Sequence, residues 1–89
     1  MQSGIVYYRG AATAAQHKIV GACLADARRR ANLTQQELAE RLGKPQSFVS
    51  DYERGQRRID LMEFLFIARA LKSEPLEIFR AILQAFPGS

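Results

Sequence analysis

From His17 onward the apolar positions recur at helical spacing, and short polar or glycine-bearing gaps divide them into five pieces. Ile19, Val20, Cys23, Leu24, Ala27 and Ala31 predict a first helix, with Asn32 placed to end it in a left-handed conformation. Thr34 and Glu37 form a capping box at the start of a second helix, flanked by a staple of Leu33 and Leu38. Leu38, Ala39 and Leu42 give that helix an inner face, and Gly43 closes it. A third helix spans about 46–54, since Pro45 limits how early it can begin and Gly55 stops it. Asp60 with Glu63, and Ile59 with Phe64, repeat the cap and staple ahead of a fourth helix over about 61–71. Leu61, Phe64, Leu65, Ala68 and Leu71 mark one side of it, while Met62, Phe66 and Ile67 lie on others. A helix apolar nearly all round is buried on more than one side. Pro75 suits the first turn of a fifth helix, striped by Leu76, Phe79, Ile82, Leu83 and Phe86. The predicted fold is therefore all-α, a five-helix bundle over 17–86, with an N-terminal extension over 1–16 and a tail over 87–89. Within the extension, "GIVYYRG" reads either as a short strand or as a tail ordered by docking, and the alanines of "AATAAQ" would allow the first helix to begin early.

The second and third helices are each too short to be stable alone. Something else must hold them, and their closeness points to a paired unit. On a helical wheel Phe48, Val49, Tyr52 and Glu53 share one side of the third helix. Ser47, Ser50, Asp51 and Arg54 share the other, with Gln46 at the margin of the first turn. These are short polar groups that donate and accept hydrogen bonds, without the Glu/Lys ladder of a merely solvated face. An α-helix fits the DNA major groove, where base edges present a distinct donor and acceptor pattern. A small helical domain with a soluble outer face is the plainer alternative.

Two opposite charges fall on inner stripes. Arg28 follows Leu24 by four residues and Glu53 follows Val49 by four. An unpaired buried charge is very costly, so the pair is expected to meet and pin the third helix to the first. Outward snorkelling of both side chains is the alternative.

Composition narrows the function classes. The 89 residues carry a net charge of +4, which favours a polyanionic partner weakly because acids and bases interleave. Single cysteine and histidine residues, Cys23 and His17, leave no intrachain disulfide and no ordinary metal site. No apolar run is long enough to span a bilayer, and the N-terminus lacks the pattern of a signal peptide. A cytoplasmic location is expected. The nucleophiles and carboxylates show no convergent spacing, so no catalytic residue, cofactor or metal is assigned, and an enzyme is not expected. Cys23 and Tyr52 read as core residues.

The segment "LADARRRANLTQQELAERLGKPQSFVSDYERGQRRI", with the two helices after it, resembles the phage-repressor and Cro-like (XRE) helix-turn-helix family over about Leu24 to Leu83. The resemblance implies a repressor-like bundle whose third helix reads DNA. By position, Gln46 and Ser47 would face base edges, with Ser50 and Asp51 next along the groove. Gln35 would bond a phosphate through the start of the second helix, and Lys44, Arg57 and Arg58 would bind phosphates beside the recognition helix. Arg54, on the outer side of that helix, joins the phosphate-binding set. Arg28 and Glu53 match a structural ion pair of the family. Pro45 departs from the hydroxyl cap common in relatives, and Asp51 places a negative charge on the reading face. The expected function is a sequence-specific regulator of transcription, repressor-like, acting as a homodimer on a near-palindromic double-stranded site. The apolar surplus of the last two helices assigns Phe66, Phe79, Ile82, Leu83 and Phe86 to the dimer interface. The alternative is a protein-interaction module of the same fold, such as a toxin-neutralising partner.

Overall fold

The computed structural model describes residues 13–86. It contains α1 (Ala14–Arg30), α2 (Gln35–Leu42), α3 (Gln46–Glu53), α4 (Leu61–Ala70) and α5 (Pro75–Ala85), with no strand among the described residues. The "IVYY" segment lies outside them.

Local chemistry fixes both ends of most helices. Thr34 and Asp60 each accept from the backbone amide three residues on, while Glu37 and Glu63 reach back to the cap amides. Thr13 and Gln16 make a third capping box. It starts α1 at Ala14, inside the stretch expected to be extension, because a threonine cap followed by alanines favours helix. At the other ends, Asn32 and Gly43 adopt left-handed backbone angles, φ 60° and 68°. Lys72 does the same after α4 without a glycine's freedom, at φ 56°.

α1 packs against α3 and α5, α2 packs against α3 and α4, and α4 also meets α5. Leu24, Leu38, Val49, Tyr52 and Ile67 are the large side chains fully buried where these elements converge. Each such aliphatic side chain contributes roughly 1.5–3 kcal/mol by leaving water. That burial stabilises α2 and α3, which local propensity alone could not.

The last two helices are rotated relative to the predicted stripes. In α4 and at its C-cap, Ile67, Ala68 and Leu71 are buried and Phe64 is half-buried, whereas Leu61 is 73 % exposed and Leu65 is exposed as well. In α5 the inward pair is Ile78 and Ile82, four residues apart, and Leu76 is 66 % exposed. Both helices carry more than one apolar stripe, so periodicity could not choose which one faces inward.

Gly21 has a packing role that the helical pattern concealed. It lies mid-helix, where α1 crosses the end of α3. A Cβ there would overlap the Tyr52 carbonyl oxygen and sit 2.7 Å from that of Glu53. Backbone cannot swing aside as a side-chain tip can. Gly21→Ala should therefore destabilise the protein by about 3 kcal/mol or more, at the severe end of overpacking, despite alanine's better helix propensity. Urea unfolding of the variant beside the wild type measures this. An unchanged midpoint would refute the close crossing.

Candidate nucleic-acid interface

The turn between α2 and α3 is short because Gly43 reverses the chain in one residue and the Lys44 amide donates to the Ala39 carbonyl. Pro45 occupies the N-cap of α3 and supplies no side-chain hydrogen bond. The inner face of α3 is Phe48, Val49, Tyr52 and Glu53, all buried. Phe48 and Tyr52 meet edge to face, with ring centroids 5.5 Å apart. The outer face presents Gln46, Ser47 and Arg54 to solvent, with Ser50 and Asp51 half-buried.

Behind this face lies a buried ion pair. Arg28 Nε donates to Glu53 Oε2 at 2.7 Å and Nη2 donates to Oε1 at 3.1 Å. Nη1 donates to the Leu33 carbonyl, so the guanidinium also holds the loop that leads into α2. The two carboxylate contacts make the fork-to-fork arrangement that stabilises such pairs. Burial alone would lower the arginine's affinity for its proton, yet the hydrogen bond to Glu53 raises its pKa overall.

The network continues outward. Gln35 Nε2 donates to Glu53 Oε1 at 2.8 Å, and Gln46 Nε2 donates to Gln35 Oε1 at 3.2 Å. Gln35, expected at a phosphate, is thus half-buried and already joined to both the ion pair and the first residue of α3. The Tyr52 hydroxyl is also buried but has no hydrogen-bond partner among the described residues. Burial, then the Glu53 charge, pushes its pKa up.

The expected cations divide into two kinds. Arg54 pairs with Asp51 at 2.9 Å, one helical turn away. Asp51 is therefore partly neutralised rather than a free charge on the outer face of α3. Arg57 pairs with Glu63 at 2.9 Å and lies over the Phe48 ring, its Cζ 4.6 Å from the centroid. The Lys44 ammonium lies 5.5 Å from the same centroid. Glu63 is held below its ordinary pKa of 4.5, first by the Asp60 amide and then by Arg57. Lys44 and Arg58 make no ion pair among the described residues.

The structure thus brings Gln46, Ser47, Ser50 and Asp51 onto one outer face, with Lys44, Arg57 and Arg58 in the segments flanking α3. Of the residues assigned to an interface between subunits, Phe66, Phe79 and Leu83 are about half exposed. Ile82 belongs to the chain's own core, and Phe86 packs against that core. The inward rotation of α5 removes Ile82 from the outer face and corrects its assignment, while Phe86 stays half-buried at the helix end. Leu61, Met62 and Leu76 join the exposed apolar set. The Gln35 link joins residues 18 positions apart and had no local signal. The Arg57–Glu63 pair spans only six positions, and opposite charges across one short loop could have suggested it.

Among the described residues, no group of three His, Cys, Asp or Glu side chains could hold a metal ion. No helix among them is long and apolar enough to cross a membrane. The Cys23 thiol is half-buried, and burial followed by the Asp26 charge raises its pKa.

Glu53→Ala should destabilise the fold by about 3–5 kcal/mol, because it leaves the Arg28 guanidinium buried without its partner. Equilibrium urea unfolding is the measurement. Wild-type stability would show that the pair is not worth its geometry.

Comparison with known proteins places these features in context. The helix-turn-helix family profile matches residues 24–79. The restriction-modification controller protein C.AhdI from Aeromonas hydrophila is 38 % identical, with 73 % of this chain and 98 % of that one aligned, at a TM-score of 0.67. An XRE-family like protein from Pseudomonas syringae pv. tomato is also 38 % identical, over 82 % of this chain and 89 % of its own, at a TM-score of 0.70. The controller protein C.Esp1396I, crystallised as a tetramer with its natural 35 base-pair operator, shares the fold at 18 % identity and a TM-score of 0.71, over 79 % of this chain and 92 % of its own. No curated protein matches the sequence.

Proposed function

The chain belongs to the helix-turn-helix family, and on that footing we propose that it is a DNA-binding transcriptional regulator whose α3 enters the major groove. The observation that carries this reading is the outward face of α3. Its first turn offers Gln46 and Ser47 to solvent, while its back is fixed by the buried Arg28–Glu53 pair. A rigid helix bearing short hydrogen-bonding groups suits base edges. Lys44 and Arg58, free of ion pairs among the described residues, flank it as phosphate contacts. The operator complex of C.Esp1396I supports duplex DNA as the partner of this fold.

Binding-site selection from a random duplex pool tests the reading directly. Gln46→Ala and Ser47→Ala should each reduce discrimination by about 1–3 kcal/mol while leaving non-specific affinity nearly unchanged. Lys44→Ala and Arg58→Ala should instead weaken all sequences alike, flattening the log–log salt dependence by roughly one unit per contact. Gln46 and Ser47 variants that select the same site with the same preference would remove α3 as the reader.

The assembly in this proposal is a homodimer formed through the outer faces of α4 and α5. Leu61, Met62, Phe66, Leu76, Phe79 and Leu83 are each between 48 % and 73 % exposed. So many large apolar groups on one small domain favour association. A two-fold axis would present two recognition helices to one side of DNA, about 34 Å apart, on a near-palindromic site. Sedimentation at micromolar concentration should give about twice the 10.0 kDa chain mass. Phe79→Glu should shift it towards the monomer and lose cooperative binding. A monomeric wild type that binds one symmetric site without cooperativity would sink the dimer.

A further inference from the structure

Arg57 combines features that ordinarily oppose one another. It lies beside the proposed recognition helix, yet a carboxylate already holds it. The atoms involved resolve this. Nη1 donates to the Arg58 carbonyl at 2.6 Å and to Glu63 Oε1 at 3.3 Å, and Nη2 donates to Oε2 at 2.9 Å. These bonds use both Nη1 hydrogens and one Nη2 hydrogen of a group with five donors. In the planar guanidinium, the Nε–H and the second Nη2–H lie side by side along another edge. No acceptor meets Nε among the described residues. The fork that remains matches two oxygens of one phosphate.

The guanidinium is also held against an aromatic ring. Its Cζ sits 4.6 Å from the Phe48 ring centroid, and Phe48 is anchored in α3 with only 9 % exposure. Glu63 is itself immobilised, since its Oε1 accepts from the Asp60 amide at 3.0 Å while its own amide donates to Asp60. The capping box of α4 and the arginine therefore share one carboxylate. The Arg57 side chain is still 40 % exposed, so the assembly is open to a ligand.

We propose that Glu63 is a positioning residue for DNA binding: it clamps the end of the Arg57 guanidinium over Phe48 so that the Nε/Nη2 edge receives a backbone phosphate. This rests on the DNA-binding reading above and deepens it by assigning a role to an acid. The clamp limits the freedom that Arg57 would otherwise lose on binding. It also ties the start of α4 to the recognition helix, so phosphate binding and the placement of α3 share one support.

The sign of the effect separates this role from simple charge. Glu63→Gln keeps the side-chain length and a residue type competent in a capping box, but removes a negative charge. If Glu63 only repelled phosphate, the variant would bind DNA more tightly. Positioning requires the reverse. Binding to a mixed-sequence 30-base-pair duplex at low salt is measured for wild type, Glu63→Gln, Arg57→Ala and the double variant, with thermal unfolding of each alongside. Glu63→Gln should bind about three- to tenfold more weakly while unfolding near the wild-type temperature. Arg57→Ala should bind more weakly with a salt slope lower by roughly one, and the double variant should be no weaker than Arg57→Ala alone. Unchanged or tighter binding by Glu63→Gln, or full additivity in the double variant, overturns the clamp while leaving the DNA-binding reading intact. An Arg57→Ala variant with wild-type affinity and slope overturns the clamp by removing its phosphate contact. Failure of the wild type to bind the duplex at low salt overturns both.

Discussion

The Arg28–Glu53 pair is the constraint on which the rest of the structure depends. Two short helices cannot hold their relative placement by propensity, and a small apolar core tolerates sliding and repacking. A fork-to-fork ion pair does not. It joins the end of α3 to α1, and its third arm holds the Leu33 carbonyl at the entry to α2. Gly21 complements it by letting α1 approach the α3 backbone at the same end. Charge fixes the register and the missing Cβ permits the distance.

From that anchor a chain of amides runs to the surface. Glu53 accepts from Gln35, and Gln35 accepts from Gln46. The first residue of α3 is thereby referred back to the core through side chains instead of through a cap. This suits a helix whose N-cap is Pro45, which offers no side-chain acceptor. Along the same surface, cations sort by their partners. Arg54 and Arg57 meet acids, whereas Lys44 and Arg58 meet none among the described residues. A formal charge of +4 therefore understates how unevenly positive charge is available around α3. In the proposed function, free cations supply attraction and held ones supply direction.

The C-terminal half answers to a different constraint. α4 and α5 each use one stripe to close the domain and leave another in water. Ile67, Ala68, Ile78 and Ile82 turn inward, while Phe66, Phe79 and Leu83 remain outside. A domain of this size has too little interior for every apolar side of two such helices. The uncovered surface is thus a consequence of dividing a large apolar content between one small core and the outside. In the dimer reading, a second copy covers what the first cannot.

The sequence by itself determined the five helices, most of their ends and the family. The Thr34–Glu37 and Asp60–Glu63 caps, and the chain reversals at Asn32 and Gly43, rest on interactions within a few residues, which spacing reveals directly. Spacing also placed Arg28 and Glu53 on inward faces, and the prohibitive cost of a lone charge there implied that they pair. The outer face of α3 was legible for the same reason: once Phe48, Val49, Tyr52 and Glu53 turn inward, Gln46, Ser47 and Arg54 must face out. Only the tertiary structure decided which of two apolar stripes α4 and α5 bury, since both satisfy the same periodicity. It alone joined Gln35 to Glu53, set Arg57 between Phe48 and Glu63, and required glycine at position 21. Those contacts arise where separate elements cross, and no local pattern encodes the distance between two backbones.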